Sequence, residues 1–225
     1  MAENGDFSGD ISLTDEIAKI IRERILNGEY KIGEKIKESQ IAAELKVSRT
    51  PIREAFKLLE NEDLIDYFPY RGCFAKGFTK QDISDIYAVR KALERLAVEW
   101  AVERITKNDL EELKDQCDLM EFYTTRGETQ KVLDMNNDFH DIIYKATGSR
   151  FISQILKSYK TYITRSKKLL YIDEKYLNEI LREHKDILKA LKERDKDAAV
   201  DAISHHLDHS QKRAEAVWHV NKEEE

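Results

Sequence analysis

Three histidines in the second half of the chain combine a metal-binding side chain with a position that a helix would bury. His140, His184 and His206 each lie at the centre of an apolar stripe when residues are plotted at 100° intervals around a helix. Neutral imidazole is the commonest protein ligand for metals, and facing helices of a bundle often supply such ligands. Asn136 precedes His140 by four residues, so its carbonyl oxygen can reach the same ion. The pattern predicts a divalent metal site, although one such histidine alone would be typical of an ordinary core residue.

Arg90 is a fourth polar side chain at the centre of an apolar stripe, on a separate predicted helix. A buried guanidinium without a partner is strongly destabilising, so this side chain needs a negative charge nearby. Glu94, about one helical turn later, can provide that charge. Alternatively, Arg90 binds an anionic ligand in a pocket that the metal also lines. The residues leave both interpretations open.

Residues 46–55 predict a different chemistry, because they place two arginines at the start of a helix. Ser48 can cap this helix, and Pro51 falls in the first turn, where its missing N–H costs nothing. Arg49 and Arg53 are four residues apart and project from one face. Arginines in this position suit phosphate oxygens and the O6/N7 edge of guanine. The same pair alone also fits an ordinary solvated helix start, so the neighbouring elements decide the interpretation.

The neighbouring elements predict a winged helix-turn-helix DNA-binding domain over residues 12–78. In chain order the predicted elements are helices at 14–26, at 39–45 and from Ser48 onward, then strands at 64–68 and 73–76. A turn at 69–72 joins the two strands into a wing. In this architecture the third helix enters the major groove of DNA, and the wing reaches the backbone or the minor groove.

The remaining residues, 79–221, are predicted to form a bundle of antiparallel helices. Periodicity places the helices near 80–105, 108–125, 128–146, 150–171, 174–193 and 195–219. The connections between them are short, which favours antiparallel neighbours. Residues 1–11 are polar and are expected to be a disordered lead-in. The predicted fold class is therefore mostly α, with an N-terminal winged helix-turn-helix and a C-terminal all-helical domain.

Composition is typical of a soluble cytoplasmic protein. The 225 residues include no apolar stretch near twenty residues and no signal-peptide pattern, so no membrane span or export is expected. Cys73 and Cys117 are the two cysteines, and we expect both to be free thiols. The net charge of −6 argues against indiscriminate DNA binding, but between Lys19 and Lys57 ten basic residues face six acidic ones. The positive field is therefore expected to be local to the DNA-binding domain.

Residues 14–76 resemble the DNA-binding domain of GntR-family bacterial transcription factors. The resemblance rests on the run at 47–55 and on the Arg-Gly pair at 71–72. The DNA contacts that it implies are Arg49, Thr50 and Arg53 of the third helix, Arg71 and Gly72 of the wing, and Ser39, where some relatives have an arginine. Asp63 stands where relatives usually have a glycine, and aspartate tolerates the left-handed conformation that this turn needs.

Residues 80–210 resemble FCD, the all-helical effector-binding domain of the FadR-like branch of the same family. The resemblance rests on the runs at 87–94, 136–140, 183–184 and 206–207. Members often bind a divalent metal through one Asp or Asn and three His, and the matching residues here are Asn136, His140, His184 and His206. Their carboxylate-binding arginine matches Arg90. The resemblance implies one zinc, nickel or manganese ion per chain and a small carboxylate effector.

The sequence thus predicts a transcriptional regulator, more typically a repressor, that responds to a small carboxylate and binds double-stranded operator DNA as a homodimer. One alternative is a helical metal-dependent phosphohydrolase fused to a DNA-binding domain, because His140 and Asp141 form the dipeptide of HD-type enzymes. Successive helical residues point about 100° apart, however, so Asp141 would leave the face of His140. A second alternative is a regulator whose metal is purely structural. No enzymatic activity is expected.

Overall fold

The computed structural model describes residues 12–68, 70–77, 79–168 and 174–220, with the side chains of 160–168, 174 and 217–220 excepted. The predicted lead-in at 1–11 lies outside these residues, as do Pro69 of the predicted turn, the stretch at 169–173 and residue 221. The chain forms two compact units that divide between Thr79 and Lys80.

The N-terminal unit is a winged helix-turn-helix. Its elements are α1 (Leu13–Leu26), β1 (Lys35–Ile36), α2 (Glu38–Leu45), α3 (Arg49–Asn61), β2 (Ile65–Phe68) and β3 (Gly72–Ala75). Helix α3 has a strongly amphipathic sequence, and it buries Ile52, Phe56 and Leu59 against α1, which contributes Ile17 and Ile21. The predicted helices of this unit are confirmed to within one or two residues.

The wing contains one strand that the sequence pattern did not predict. The sheet order is β1-β3-β2, all antiparallel, and β1 aligns Lys35 with Phe74 and Ile36 with Cys73. A strand of two residues is too short to display the alternation that identifies a strand in sequence. Asp63, just before β2, adopts φ 59°, so the left-handed turn expected from an aspartate at a glycine position is present.

The C-terminal unit is a bundle of long helices. Its elements are α4 (Lys80–Arg104), α5 (Lys107–Thr124), α6 (Thr129–Ala146), α7 (Arg150–Lys168), α8 (Glu174–Glu193) and α9 (Lys196–Val220). Helix α4 packs against α6, α7 and α9, while α8 packs against α5, α6 and α9. The core is aliphatic, with Val98, Val132, Ile187 and Leu191 buried at its centre. Helices α4, α6, α8 and α9 therefore enclose a common interior.

Local signals in the sequence mark the ends of several of these helices. Thr106 caps α5: its hydroxyl accepts from the backbone N–H of Asp109, and the Asp109 carboxylate accepts from the backbone N–H of Thr106. Gly148 follows α6 with φ 66°, a conformation that ends a helix and that glycine adopts without strain. Both cysteines are buried free thiols, as expected. No helix in the described part of the chain is long and apolar enough to span a bilayer.

Candidate functional site

The first candidate site is the exposed surface at the start of α3. Arg49, Thr50 and Arg53 are exposed, whereas Ile52 on the same helix is buried. Arg53 Nε donates to the Glu38 carboxylate of α2 at 3.1–3.2 Å, which ties the two helices of the motif together. Ser48 occupies the N-cap position with an extended backbone, but its side chain makes no capping hydrogen bond, so that detail of the prediction is wrong.

The tip of the wing and the start of α2 supply the other residues predicted to contact DNA. Arg71 is exposed, and its guanidinium lies 5.8 Å from the centroid of the Phe68 ring. Gly72 begins β3 with φ 101°, a backbone conformation that a side chain would disfavour. Ser39 is exposed in the first turn of α2. Within the N-terminal unit all the predicted contact residues are therefore solvent-accessible.

The second candidate site is a cluster of three histidines inside the helical unit. His140 of α6, His184 of α8 and His206 of α9 are 0–3% exposed, and each offers a ring nitrogen within 4.8 Å of the other two. The Nε2 atoms of His140 and His206 lie 3.1 Å apart. Asn136, one turn before His140 on the same face of α6, is also buried. Burial at the centre of three apolar stripes thus brings together residues up to 66 positions apart.

Each histidine of the cluster directs its Nδ1 atom away from the others, toward an acceptor. His184 Nδ1 is 2.8 Å from the carbonyl oxygen of Ile180, and His206 Nδ1 is 2.8 Å from Glu183 Oε2. His140 Nδ1 is 3.0 Å from Glu94 Oε2. Such outer partners favour the tautomer with the proton on Nδ1, in which the Nε2 lone pair can bind a metal. This arrangement is the one that a trio of Nε2 ligands requires.

Glu94 connects the cluster to Arg90. Its Oε1 pairs with Arg90 Nε and its Oε2 faces His140, and both Arg90 and Glu94 are at most 5% exposed. Burial alone would raise the pKa of the Glu94 carboxyl, but the charge of Arg90 and the nearby His140 outweigh this effect and lower it. The carboxylate therefore stays ionised. The predicted i,i+4 pairing of Arg90 is present, and the same carboxylate also orients a histidine, which the sequence pattern did not indicate.

Glu183 holds the same position on the opposite side of the cluster. Its carboxylate accepts from His206 Nδ1, from His209 Nδ1 at 2.7 Å, and from both terminal nitrogens of Arg213 at 3.0–3.1 Å. Burial opposes ionisation of Glu183, but the hydrogen bonds and charge of Arg213 dominate and lower its pKa. The sequence held one indication that Glu183 belongs to the site, namely its position next to His184. Successive residues of a helix point about 100° apart, so a neighbour of a buried residue can face an adjacent helix.

Polar atoms that are buried beside the cluster without a hydrogen-bond partner among the described residues include Asn136 Oδ1, His184 Nε2 and Arg90 Nη1. Buried polar groups in proteins are nearly always paired, so orphaned ones call for an explanation. The first two are a carbonyl oxygen and an imidazole lone pair, both suitable metal donors. The third is a cationic N–H that suits an anion. The donor set fits a divalent transition metal.

Burial also governs the charge on the cluster. Desolvation, assisted by the neighbouring His206 and His140, lowers the pKa of His184 well below its ordinary value. A neutral imidazole is the form that binds metals. Asp141, the second residue of the HD-type dipeptide, is not among the residues that offer an atom to the cluster. It lines a separate surface cavity with Asp138 and Lys145, so the described residues do not assemble the HD-type arrangement.

Comparison with known families matches both units. Residues 13–75 match the model for bacterial regulatory proteins of the gntR family, and residues 85–209 match the FCD domain. The HTH-type transcriptional regulator YdhC of Bacillus subtilis is 31% identical over 90% of this chain and 91% of that protein. The gluconate operon transcriptional repressor of the same organism is 30% identical over 90% of this chain and 85% of that repressor. These relatives are regulators rather than enzymes.

Solved structures support the fold. The chain superposes on McbR/YncC of Escherichia coli with a TM-score of 0.73 at 22% identity, covering 92% of this chain and 99% of that one. The architecture predicted from the sequence, a winged helix-turn-helix followed by a helical bundle, is therefore confirmed.

Proposed function

The chain belongs to the gntR family of bacterial regulatory proteins and is a DNA-binding transcriptional regulator with an FCD domain, and we propose that it senses a small carboxylate at a metal-containing pocket in its helical unit. The observation that carries the proposal is the set of orphaned buried atoms: Asn136 Oδ1 and His184 Nε2 on the metal side, and Arg90 Nη1 on the anion side.

Asn136, His140, His184 and His206 would hold one divalent ion per chain, most simply zinc, nickel or manganese. The Nδ1 atoms of the three histidines face a backbone carbonyl and two carboxylates, which pre-orients the rings for a metal. Asparagine is neutral, so the four ligands bring no net charge to the ion. A bound ion supplies positive charge and open coordination positions to an anionic ligand.

Arg90 would anchor the effector. Its Nε is held by Glu94, which fixes the guanidinium plane, while Nη1 remains available for a second, incoming anion. Its guanidinium carbon lies 5.7 Å from the centroid of the Tyr87 ring, and Tyr87 Oη bonds to Ser210 at 2.9 Å. Arginine is therefore locked in place before the ligand arrives, and a carboxylate can pair with it at low dielectric.

Arg49, Thr50, Arg53, Ser39, Arg71 and Gly72 would contact operator DNA. One winged helix reads only a few base pairs, so two copies of the chain acting on two half-sites are needed for useful specificity. We therefore propose a homodimer that acts in the cytoplasm, and repression as its mode, in keeping with relatives named as repressors. The effector alters operator affinity by binding two conformations of the protein unequally.

Native mass spectrometry of the purified full-length protein tests the proposal in one measurement. The expected result is a dimer that carries one divalent ion per chain and that gains mass with a small carboxylate. Chelation then separates two roles of the metal: loss of carboxylate binding by a folded protein supports sensing, whereas loss of stability alone supports a structural ion. A protein that retains no metal and takes up none on titration would contradict the metal pocket.

A further inference from the structure

A second group of metal-binding side chains lies on the outer side of the histidine cluster. His205 and His209 of α9 are four residues apart, and their ring centroids are 4.0 Å from each other. Glu183 of α8 faces them, with its Oε1 atom 2.7 Å from His209 Nδ1. One donor atom from each of the three residues lies within 4.8 Å of the other two. His205 is exposed and His209 partly exposed, so this group opens to solvent.

We propose that His205, His209 and Glu183 form a second binding site for a divalent transition-metal ion. Two imidazoles at i and i+4 on one helix face present their nitrogens to a single point, and a carboxylate from a neighbouring helix completes a facial set of three. The remaining coordination positions open to water. The site does not depend on the proposed function of the inner cluster, with which it shares no direct ligand.

The existing geometry needs little change to receive the ion. Ligand atoms about 2.0–2.2 Å from a metal lie roughly 3 Å from one another, close to the present separation of His209 Nδ1 and Glu183 Oε1. The ion replaces the proton in this hydrogen bond. The proton displaced from Nδ1 is lost to solvent, and the other ring nitrogen, Nε2, carries the proton of the metal-bound imidazole. The Glu183 carboxylate already pairs with the Arg213 guanidinium, which favours its ionised form.

Arg213 makes this site weaker than the inner one. Both of its terminal nitrogens pair with the Glu183 oxygens, so an ion at Glu183 would approach a fixed positive charge. Glu183 also accepts from His206 Nδ1, and a metal on one carboxylate oxygen makes the other a poorer acceptor. An ion at the outer site should therefore lower the affinity of His206 for the inner ion. The two sites are expected to fill in order, inner first.

Isothermal titration of the chelator-stripped full-length protein with Ni²⁺ alone tests the second site. The parent should bind two ions per chain, one tightly and one more weakly, and His205→Ala should lose the weak second step because it removes a direct ligand. His209→Ala should do the same, whereas Lys212→Ala, an exposed neighbour on α9, should behave as the parent. His184→Ala should lose the tight step and keep the weak one, which separates the two sites.

The outcome for His205 is decisive because its side chain is exposed and its replacement leaves the core untouched. Retention of the weak step in both His205→Ala and the His205→Ala/His209→Ala double variant would overturn the proposal. A parent titration with a single step that His184→Ala abolishes would also overturn it. A single step abolished by His205→Ala would instead uphold the outer site and contradict the inner one.

Discussion

His140 and His206 bring their Nε2 atoms to within 3.1 Å of each other in the interior of the helical unit. Their Nδ1 atoms face the carboxylates of Glu94 and Glu183, which favours ring protons on that side. Two Nε2 lone pairs then face each other at low dielectric, an arrangement that repels unless a cation lies between them. Glu94 and Glu183, on two different helices, therefore orient this histidine pair for the metal binding that we propose at the centre of the cluster.

Removing a histidine of the inner cluster should empty the tight metal site. The parent should keep close to one tightly held ion per chain after dialysis. We expect His184→Ala and His206→Ala to keep nearly none, although circular dichroism should show that both variants are folded. His205→Ala, on a different face of α9, should keep the tight ion. Elemental analysis measures all four proteins. Equal metal content in the parent and both inner-cluster variants would mean that the three histidines are ordinary core residues.

Glu94 and Glu183, which lie behind the histidines, should tune the affinity of the inner site without coordinating the inner ion. Glu94→Gln and Glu183→Gln keep the shape of the side chain but remove its charge, so each should weaken the tight metal step by about 10- to 100-fold. Glu179→Gln, on the same helix as Glu183 and more exposed, is the matched control. Competition with a metal indicator provides the affinities. Unchanged affinity in both buried variants would argue that the tautomers are set in some other way.

Operator binding should depend on the two arginines at the start of α3. Arg49→Ala and Arg53→Ala should each cost about 1–3 kcal/mol of binding free energy if the side chain reads a guanine. Both residues are exposed, and a solvent-exposed pair such as Arg53–Glu38 contributes little to stability, so the variants should melt close to the parent. Lys107→Ala, an exposed position on α5, controls for a general loss of positive charge. Gel-shift titration with operator DNA measures these affinities. If both arginine variants bound the operator as tightly as the parent, the proposed contact between the start of α3 and DNA would be wrong.

The effector response should depend on the guanidinium of Arg90. A thermal-shift screen of mono-, di- and tricarboxylates should find ligands that stabilise the parent and change its operator affinity. Arg90→Lys should weaken the response, because an ammonium cannot reproduce the planar fork that pairs with Glu94 and a carboxylate together. Arg95→Lys, exposed on the same helix, should respond as the parent. Ligands that stabilise Arg90→Lys as strongly as the parent would leave Arg90 with only its Glu94 pairing.

Acidification should destabilise the metal-free protein through His184. Its pKa is lowered from 6.5 by burial, so the unfolded chain binds a proton that the folded chain excludes. The free energy of unfolding should therefore stay constant above pH 6.5. Below pH 6.5 it should decrease, by up to about 1.4 kcal/mol per pH unit for one such group. His184→Leu, which removes the titrating ring, should flatten the curve between pH 6.5 and 5. Urea unfolding of the chelated proteins measures the slope, and identical slopes would contradict this origin.

The sequence alone determined the class of fold and the residue types of both candidate sites. Helical periodicity is a local property, so the stripes around His140 and His184 and the helix bearing Arg49 were visible without any tertiary information. The left-handed turn at Asp63 was expected from the family resemblance together with the residue type. The two-residue strand β1 was not, because its existence depends on pairing with a strand almost forty residues later.

The tertiary structure decided which groups face each other across helices. Periodicity places His206 on a buried face but cannot say that Glu183, from another helix, accepts from its Nδ1. Periodicity allowed the pairing of Arg90 with Glu94. It could not predict that the Glu94 carboxylate also contacts His140 of α6. Such relationships arise from how helices pack, which depends on the fit of all their side chains together rather than on any one segment. Local sequence pattern was therefore enough to identify the residues of the sites. Helix packing decided which partners their side chains have, and with them the charges of those side chains and the buried atoms left without a partner.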